Sequence, residues 1–263
     1  MAKIDIPAFE DKGELFDFLV ENKELHINAK KSETKHADSV AYQAPQSVDK
    51  ATTIAPDANK IQVKSVINTT KFMDSHSDVH VDGIWKKSLR ENKSIMLLQE
   101  HKMSFDHLIS KSVKASAEMM SFKSLGFGRL KGESQALVFD SVIDKSTNEF
   151  MFSQYAKGVV DNHSVGMRYV KLFLAINSDS VEHKEEFDVW NKYIDSVANQ
   201  KTALDKGFFW AVTEAKIIEG SAVLMGSNQV TPTLSVESKD FEAGSSTSEQ
   251  SRIDALEQNK RYY

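Results

Sequence analysis

The chain has 263 residues, a net charge of −5 and no cysteine, and 40% of its residues are hydrophobic. This composition is typical of a soluble globular protein, and the absence of cysteine excludes disulfides, thiolate nucleophiles and thiolate metal sites. No apolar run approaches the roughly 20 residues of a membrane-spanning helix, and no basic stripe indicates nucleic-acid binding. We therefore expect neither a membrane nor a nucleic acid among its partners.

The N-terminal part, residues 1–58, is predicted to be an appendage to the main domain. Its start carries acidic residues and no apolar stretch, so we expect no secretory signal. Apolar residues at roughly helical spacing predict one amphipathic helix within residues 7–26. The polar stretch that follows has the composition of a flexible linker. Removal of residues 1–58 as a pro-segment is a hypothesis.

The main domain is predicted over residues 59–234. Alternating, β-branched or apolar runs predict strands at 60–70, 94–101, 107–122, 135–144, 163–176 and 207–226. Helices are predicted at 82–92, 147–160 and 180–200, the second of them capped by Thr147. Residues 235–263 are polar and Ser-rich, which predicts a mostly disordered tail with a short helix near 251–261.

Strands outnumber helices in this domain, and strand–helix–strand alternation is rare. A parallel, Rossmann-like sheet is therefore disfavoured. We expect an α+β fold, built as a mainly antiparallel sheet or a closed β-barrel with helices outside.

The stretch "DSHSDVHVDG" places acids and histidines at every second position, so that on a strand they would share one face. They are Asp74, His76, Asp78, His80 and Asp82. One interpretation is a divalent metal site. Side chains two apart on a strand are ~6–7 Å apart, however, and chelate one ion only with strain. "DSHSD" is also rich in turn-forming residues. We therefore favour a solvated turn that leads into a helix.

Three residues in less conspicuous segments, a serine, a histidine and an acid, offer the components of acyl-transfer chemistry. Ser164 begins a strong β run, and Gly166 beside it would allow a substrate backbone to approach. His101 closes an apolar strand at the border of core and solvent, where a general base is partly desolvated yet reachable. Taken singly, a cap or turn serine and a packed core histidine are the more ordinary interpretations.

The segment "AKIIEGSAV", residues 215–223, contains the candidate for the acidic component. Strict alternation places Ile217, Glu219 and Ser221 on one face. If that face is buried, Glu219 needs a partner, and an imidazole N–H is one such partner. Glu214 has the opposite parity and favours the surface.

The order of these segments resembles the prohead (capsid maturation) serine proteases of tailed bacteriophages, which are distantly related in fold to the herpesvirus assemblins. Four segments over about residues 60–232 carry the resemblance. They are "SVINTTKFMDSHSDVHVDGIWKKSL", "IMLLQEH", "YAKGVVDNHSVGM" and "IIEGSAVLMGSNQ".

The resemblance implies that Ser164 is the nucleophile, His101 the general base and Glu219 the third member, with Glu214 and Asp161 as reserves for the acid. It implies a prohead protease/assemblin-like fold, a mainly antiparallel closed β-barrel flanked by helices. No cofactor or metal is expected.

The implied activity is endopeptidase cleavage of scaffold and major capsid protein extensions, together with self-processing. It would take place inside the immature capsid, in the host cytoplasm, and a homo-oligomer is expected. The alternative is a non-catalytic assembly or scaffold protein on the same fold.

Overall fold

The computed structural model describes residues 6–32, 51–55, 58–92 and 94–238. The α-helices in this part of the chain are α1 (Lys12–Glu21), α2 (Lys23–Ser32), α3 (Lys86–Glu91), α4 (Glu149–Ala156), α5 (Lys184–Tyr193) and α6 (Gln200–Lys206). The strands are β1 (Ala51–Thr53), β2 (Lys60–Thr69), β3 (Asp78–His80), β4 (Leu97–Gln99), β5 (Leu108–Ser110), β6 (Ser112–Ser121), β7 (Glu133–Asp144), β8 (His163–Ile176), β9 (Phe208–Ala222) and β10 (Thr233–Ser238).

The strands form two sheets. The first has the order β1-β10-β2-β7-β6 and is antiparallel apart from the β1–β10 pair. In the second, β9 runs antiparallel to β8. On its other side β9 pairs in parallel with β3 near its start and with β4 near its end, and β5 extends the sheet beyond β4. This central position lets β9 fix the relative placement of β8 and of the turn after β4.

The predicted α+β composition agrees with this architecture, but the predicted closed barrel is wrong. Both sheets are open, because in the described part of the chain no ladder of backbone hydrogen bonds joins one sheet to the other. The chain passes between the sheets at the β5–β6 corner, where the Ser110 hydroxyl donates to the carbonyl of Val142 at 2.6 Å. Elsewhere the sheets meet through side chains, as where Gly220 faces Phe139 and Ile67.

The predicted strands and helices of the main domain correspond to elements of the structure, with some boundaries moved. Helix α4 begins one residue later than predicted, because Asn148, rather than Thr147, caps it by accepting from the Met151 amide at 3.0 Å. The predicted helix at 180–200 is divided into a short 3-10 turn (Val181–His183), α5, a second 3-10 turn (Ile194–Ser196) and the start of α6.

The N-terminal segment contains two helices where one was predicted. Asp11 caps α1 by accepting from the amides of Gly13 and Glu14 at 2.7 and 3.2 Å. Phe16, Leu19 and Ile27 are buried in the same hydrophobic core as the strands of both sheets. Helices α1 and α2 are therefore packed onto the domain.

The predicted domain limits, 1–58, 59–234 and 235–263, stay predictions, although strands β1 and β10 extend the first sheet past both internal boundaries. Most of the predicted linker, the tail beyond residue 238 and its short helix lie outside the described residues. No described helix is long and apolar enough to cross a membrane.

Candidate active site

A β-bulge in β9 sets the direction of the Glu219 side chain. Glu219 pairs with Gly166, but the next pair is Ile217 with Met167, so Ile218 is an extra residue on β9. Adjacent residues of β8 point to opposite faces, and directly opposed residues share a face. Ile217 therefore faces the core, whereas Glu219 faces away from it. The expectation that Ile217 and Glu219 share a face is wrong, because alternation assumes a strand without bulges.

Gly166 provides the space that the Glu219 carboxylate occupies. A Cβ atom at Gly166 would lie 1.9 Å from Oε1 of Glu219, far inside van der Waals contact. The predicted role of Gly166, close approach of a substrate backbone, is thus replaced by close approach of this protein's own carboxylate.

His101 reaches the same carboxylate from the turn after β4. Its Nδ1 lies 2.6 Å from Oε1 of Glu219, and the side chains are 9% and 2% exposed. His101 and Glu100 both have positive φ, 57° and 52°, in the left-handed region that costs non-glycine residues about 1 kcal/mol or more each. The amide of Glu100 donates to the carbonyl of Ala222 at 3.0 Å, which holds this strained turn against β9.

Ser221 is hydrogen-bonded to both members of the Glu219–His101 pair. Its hydroxyl donates to Oε2 of Glu219 at 2.7 Å and accepts from the backbone amide of His101 at 3.0 Å. Sequence reasoning assigned this residue no role. The available signal was its place two residues after Glu219, which with the acid's burial indicates a second partner for the carboxylate.

Ser164 lies on the strand beside them. It pairs directly with Ser221, so the two side chains share a face, with Cβ atoms about 5 Å apart. The loop after β9 packs against this position, since a Cβ atom at Gly226 would lie 3.7 Å from Cβ of Ser164. Ser164 is 6% exposed. The sheet thus brings Ser164 and the Glu219–His101 pair to one face of β8 and β9.

The two reserve acids lie elsewhere. Glu214 forms ion pairs with Lys171 at 3.0 Å and Lys87 at 3.6 Å. Asp161 lies in the loop before β8. Of the three candidates, the described contacts place only Glu219 against His101.

The acidic stretch forms a second buried cluster, named here the Asp78 cluster: Asp74, Asp78, His80, Tyr169 and Lys30. Asp78 is fully buried; it forms an ion pair with Lys30 of α2 and accepts from the Tyr169 hydroxyl at 2.8 Å. Asp74 accepts from the backbone amides of His76 and Asp78, both at 2.9 Å, and closes the turn. The prediction of a turn is confirmed, but that of a solvated turn is wrong, because Asp74 is buried at the start of the turn and strand β3 carries Asp78 and His80 into the interior.

Burial and charge set the protonation states in the Asp78 cluster. Burial by itself would raise the pKa of Asp78, but the charge and hydrogen bond of Lys30 outweigh it and hold that pKa below its usual value. Burial and the neighbouring Asp78 raise the pKa of Asp74. Burial lowers the pKa of His80 in spite of both carboxylates, which favours its neutral form. Its Nε2 lies 3.1 Å from the Tyr169 hydroxyl.

A metal site at this stretch has no support in the described part of the chain, where no group of three or more acid or histidine side chains is arranged to hold an ion. The Asp78 cluster is still a neighbour of the candidate active site. Asp74, His80 and Ser164 line one small cavity between the acidic turn and the start of β8.

Comparisons of the chain with protein-family models, with curated proteins and with solved structures give no match. A function is therefore inferred from the geometry of the site and from the order of the four segments.

Proposed function

We propose that the protein is a serine endopeptidase in which Ser164, His101 and Glu219 act as nucleophile, general base and orienting acid. One observation carries the proposal: His101 is hydrogen-bonded to a buried carboxylate at 2.6 Å, on the face of the sheet that also carries Ser164. The pair supplies the base and the base-orienting group that acyl transfer requires, and Ser164 is the nucleophile candidate on the same face.

In the proposed mechanism, Glu219 holds the Nδ1–H tautomer of His101, so that Nε2 receives the proton of Ser164. The Ser164 oxygen then attacks the peptide carbonyl, and His101 returns the proton to the leaving amine. The negative charge of Glu219 stabilises the imidazolium that forms between these steps. Water then attacks the acyl-enzyme while His101 takes its proton, and His101 returns that proton to the Ser164 oxygen as the carboxylic acid product leaves.

For the biological substrates we propose scaffold and major capsid protein extensions, cleaved inside the immature capsid in the host cytoplasm, with self-processing and a homo-oligomeric state. The support is the order of the acidic turn, the His101 strand, the Ser164 strand and the Glu219 strand, which resembles phage prohead proteases. The short 3-residue strand β4, which ends at Gln99 just before His101, fits that order.

The test is co-expression with the capsid and scaffold proteins of the same virus. We expect the wild type to cleave them, and Ser164→Ala to leave them uncut while still folding. Ser110→Ala is the matched control, since Ser110 is a buried serine at the sheet corner. Cleavage by Ser164→Ala at the wild-type rate would refute the nucleophile assignment. Assembly without cleavage by the wild type would favour the non-catalytic alternative.

A further inference from the structure

Ser221 occupies an unusual position between the two functional groups of the site. Its side chain is fully buried, and both of its described bonds go to the His101–Glu219 pair: one to the carboxylate and one from the histidine backbone. A hydroxyl that donates to one group and accepts from the other couples their positions.

The backbone at His101 needs such an anchor. Two successive residues in the left-handed region persist only where the surroundings hold them there. Each amide of the turn is fixed by β9: that of Glu100 by the Ala222 carbonyl, and that of His101 by the Ser221 hydroxyl. Of these two anchors, only the second depends on a side chain and can therefore be removed by substitution.

The carboxylate needs an anchor as well. With Oε1 at His101 and Oε2 at the Ser221 hydroxyl, Glu219 has one partner for each oxygen, which fixes its rotation. Removing the hydroxyl would leave a buried carboxylate oxygen and a buried amide each without this partner, and the carboxylate could turn away from Nδ1.

We propose that Ser221 is a positioning residue: it holds the strained turn of His101 and the Glu219 carboxylate in the one geometry that lets His101 activate Ser164. This inference rests on the proposed function. It predicts that loss of the hydroxyl slows the covalent step and leaves ligand binding unchanged, because Ser221 acts through His101.

The test uses a fluorophosphonate probe, which needs no knowledge of the natural substrate. The Ser164 oxygen forms a bond to phosphorus, the P–F bond breaks, fluoride leaves, and the serine proton passes to His101. The first-order rate of labelling at saturating probe (kinact) and the probe concentration for half-maximal rate (KI) separate the covalent step from binding.

Two variants of equal shape isolate the hydroxyl. Ser221→Thr keeps it, whereas Ser221→Val does not. We expect kinact to fall about 10–100-fold in Ser221→Val with KI unchanged, and to stay within about threefold of the wild type in Ser221→Thr. Ser110→Ala is the control, because Ser110 also donates to one group and accepts from an amide, that of Ser112 at 3.0 Å. Rates are expressed per folded molecule, determined by urea unfolding.

The outcomes separate the two proposals. Equal kinact in Ser221→Thr and Ser221→Val would overturn the role of Ser221 while leaving the protease proposal intact. A rise in KI in Ser221→Val with no change in kinact would also overturn the role of Ser221 and leave the protease proposal intact. Absence of Ser164 labelling in the wild type would overturn the proposed function itself.

Discussion

Two buried clusters in this protein each combine carboxylate and histidine, and they differ in their counter-charge. In the Asp78 cluster the carboxylate is paired with the Lys30 ammonium group and with the Tyr169 hydroxyl. At the candidate active site, the described contacts of Glu219 come from His101 and Ser221, and within the described residues no lysine or arginine is ion-paired with it.

The difference indicates what each cluster can do. A carboxylate already neutralised by lysine gains little from a second positive charge, so the Asp78 cluster is suited to holding α2 on the domain. A carboxylate with only a hydroxyl and an imidazole as partners can stabilise a positive charge that appears on the imidazole during a reaction. The acid–histidine pair without a resident cation is therefore the better candidate for catalysis, although the acidic stretch is the more conspicuous in the sequence.

The largest expected effect is a loss of activity when the His101–Glu219 pair is broken. His101→Ala should lower the rate of fluorophosphonate labelling or peptide cleavage by about 10⁴-fold, since it removes the general base. The change is expected to lower the unfolding free energy by about 1–3 kcal/mol, because the buried Glu219 carboxylate loses one hydrogen-bond partner, so the labelling rate is expressed per folded molecule. Labelling and urea unfolding measure the two quantities. Wild-type labelling in this variant would place the active site elsewhere.

At the Asp78 cluster we expect a large loss of stability with no loss of activity. Lys30→Met breaks a buried ion pair by removing one partner, which costs about 3–5 kcal/mol of unfolding free energy. Labelling of Ser164 per folded molecule should stay at the wild-type level. Urea unfolding gives the stability, and the double variant Lys30→Met/Asp78→Asn should recover part of the loss because no uncompensated charge remains.

This variant also tests the pro-segment hypothesis for residues 1–58. If α2 is removed in the mature protein, the cluster must tolerate the absence of Lys30. A stability loss of less than about 1 kcal/mol in Lys30→Met would then be expected. A loss near the full buried-pair value would contradict removal of this segment from a protein that stays folded.

Gly166→Ala is expected to lower both the labelling rate and the unfolding free energy, with a smaller loss of stability than in Lys30→Met. The added Cβ displaces the end of the Glu219 side chain, so the hydrogen bond to His101 is lost and labelling falls about 100-fold. The strain costs about 1–3 kcal/mol. Gly128→Ala is the control, because the nearest atom to its added Cβ would be 4.0 Å away. Equal labelling in Gly166→Ala and the wild type would show that the Glu219 contact is dispensable.

The sequence predicted what depends on local pattern and missed what depends on distant contacts. The long strands β2, β7, β8 and β9 were identified from alternation and β-branched residues. The assignment of Ser164, His101 and Glu219, which came from the order of the segments along the chain, stays a prediction. The closed barrel was wrong because edge pairing between strands has no local signature. The direction of Glu219 was argued from an alternation that the bulge at Ile218 breaks.

The prediction that the acidic stretch is solvated was wrong for a similar reason. Asp78 is buried because Lys30, 48 residues before it, supplies the cation, and Tyr169, 91 residues after it, supplies a hydroxyl. A composition rich in Asp, His and Ser indicates exposure unless such partners are known. Pairings over these separations cannot be read from one sequence.

The smallest expected effect is a pH dependence of stability that originates in His80. Burial lowers its folded-state pKa below the unfolded value of about 6.5, so the unfolded chain binds a proton more readily as the pH falls below that value. His80 therefore contributes stability at pH 7.5 that is progressively lost towards pH 5.5. Each unit of pKa difference is worth about 1.4 kcal/mol.

The measurement is the urea unfolding free energy at pH 7.5 and 5.5 in the wild type and in His80→Gln. Asp74, whose folded pKa is raised, has the opposite sign: its ionisation costs stability as the pH rises above about 3.8. The difference between the two proteins isolates His80, and the wild type should lose more stability on acidification. An identical slope in His80→Gln would mean that burial does not favour the neutral form of this histidine, and a fixed protonation state could not be assigned to the Asp78 cluster.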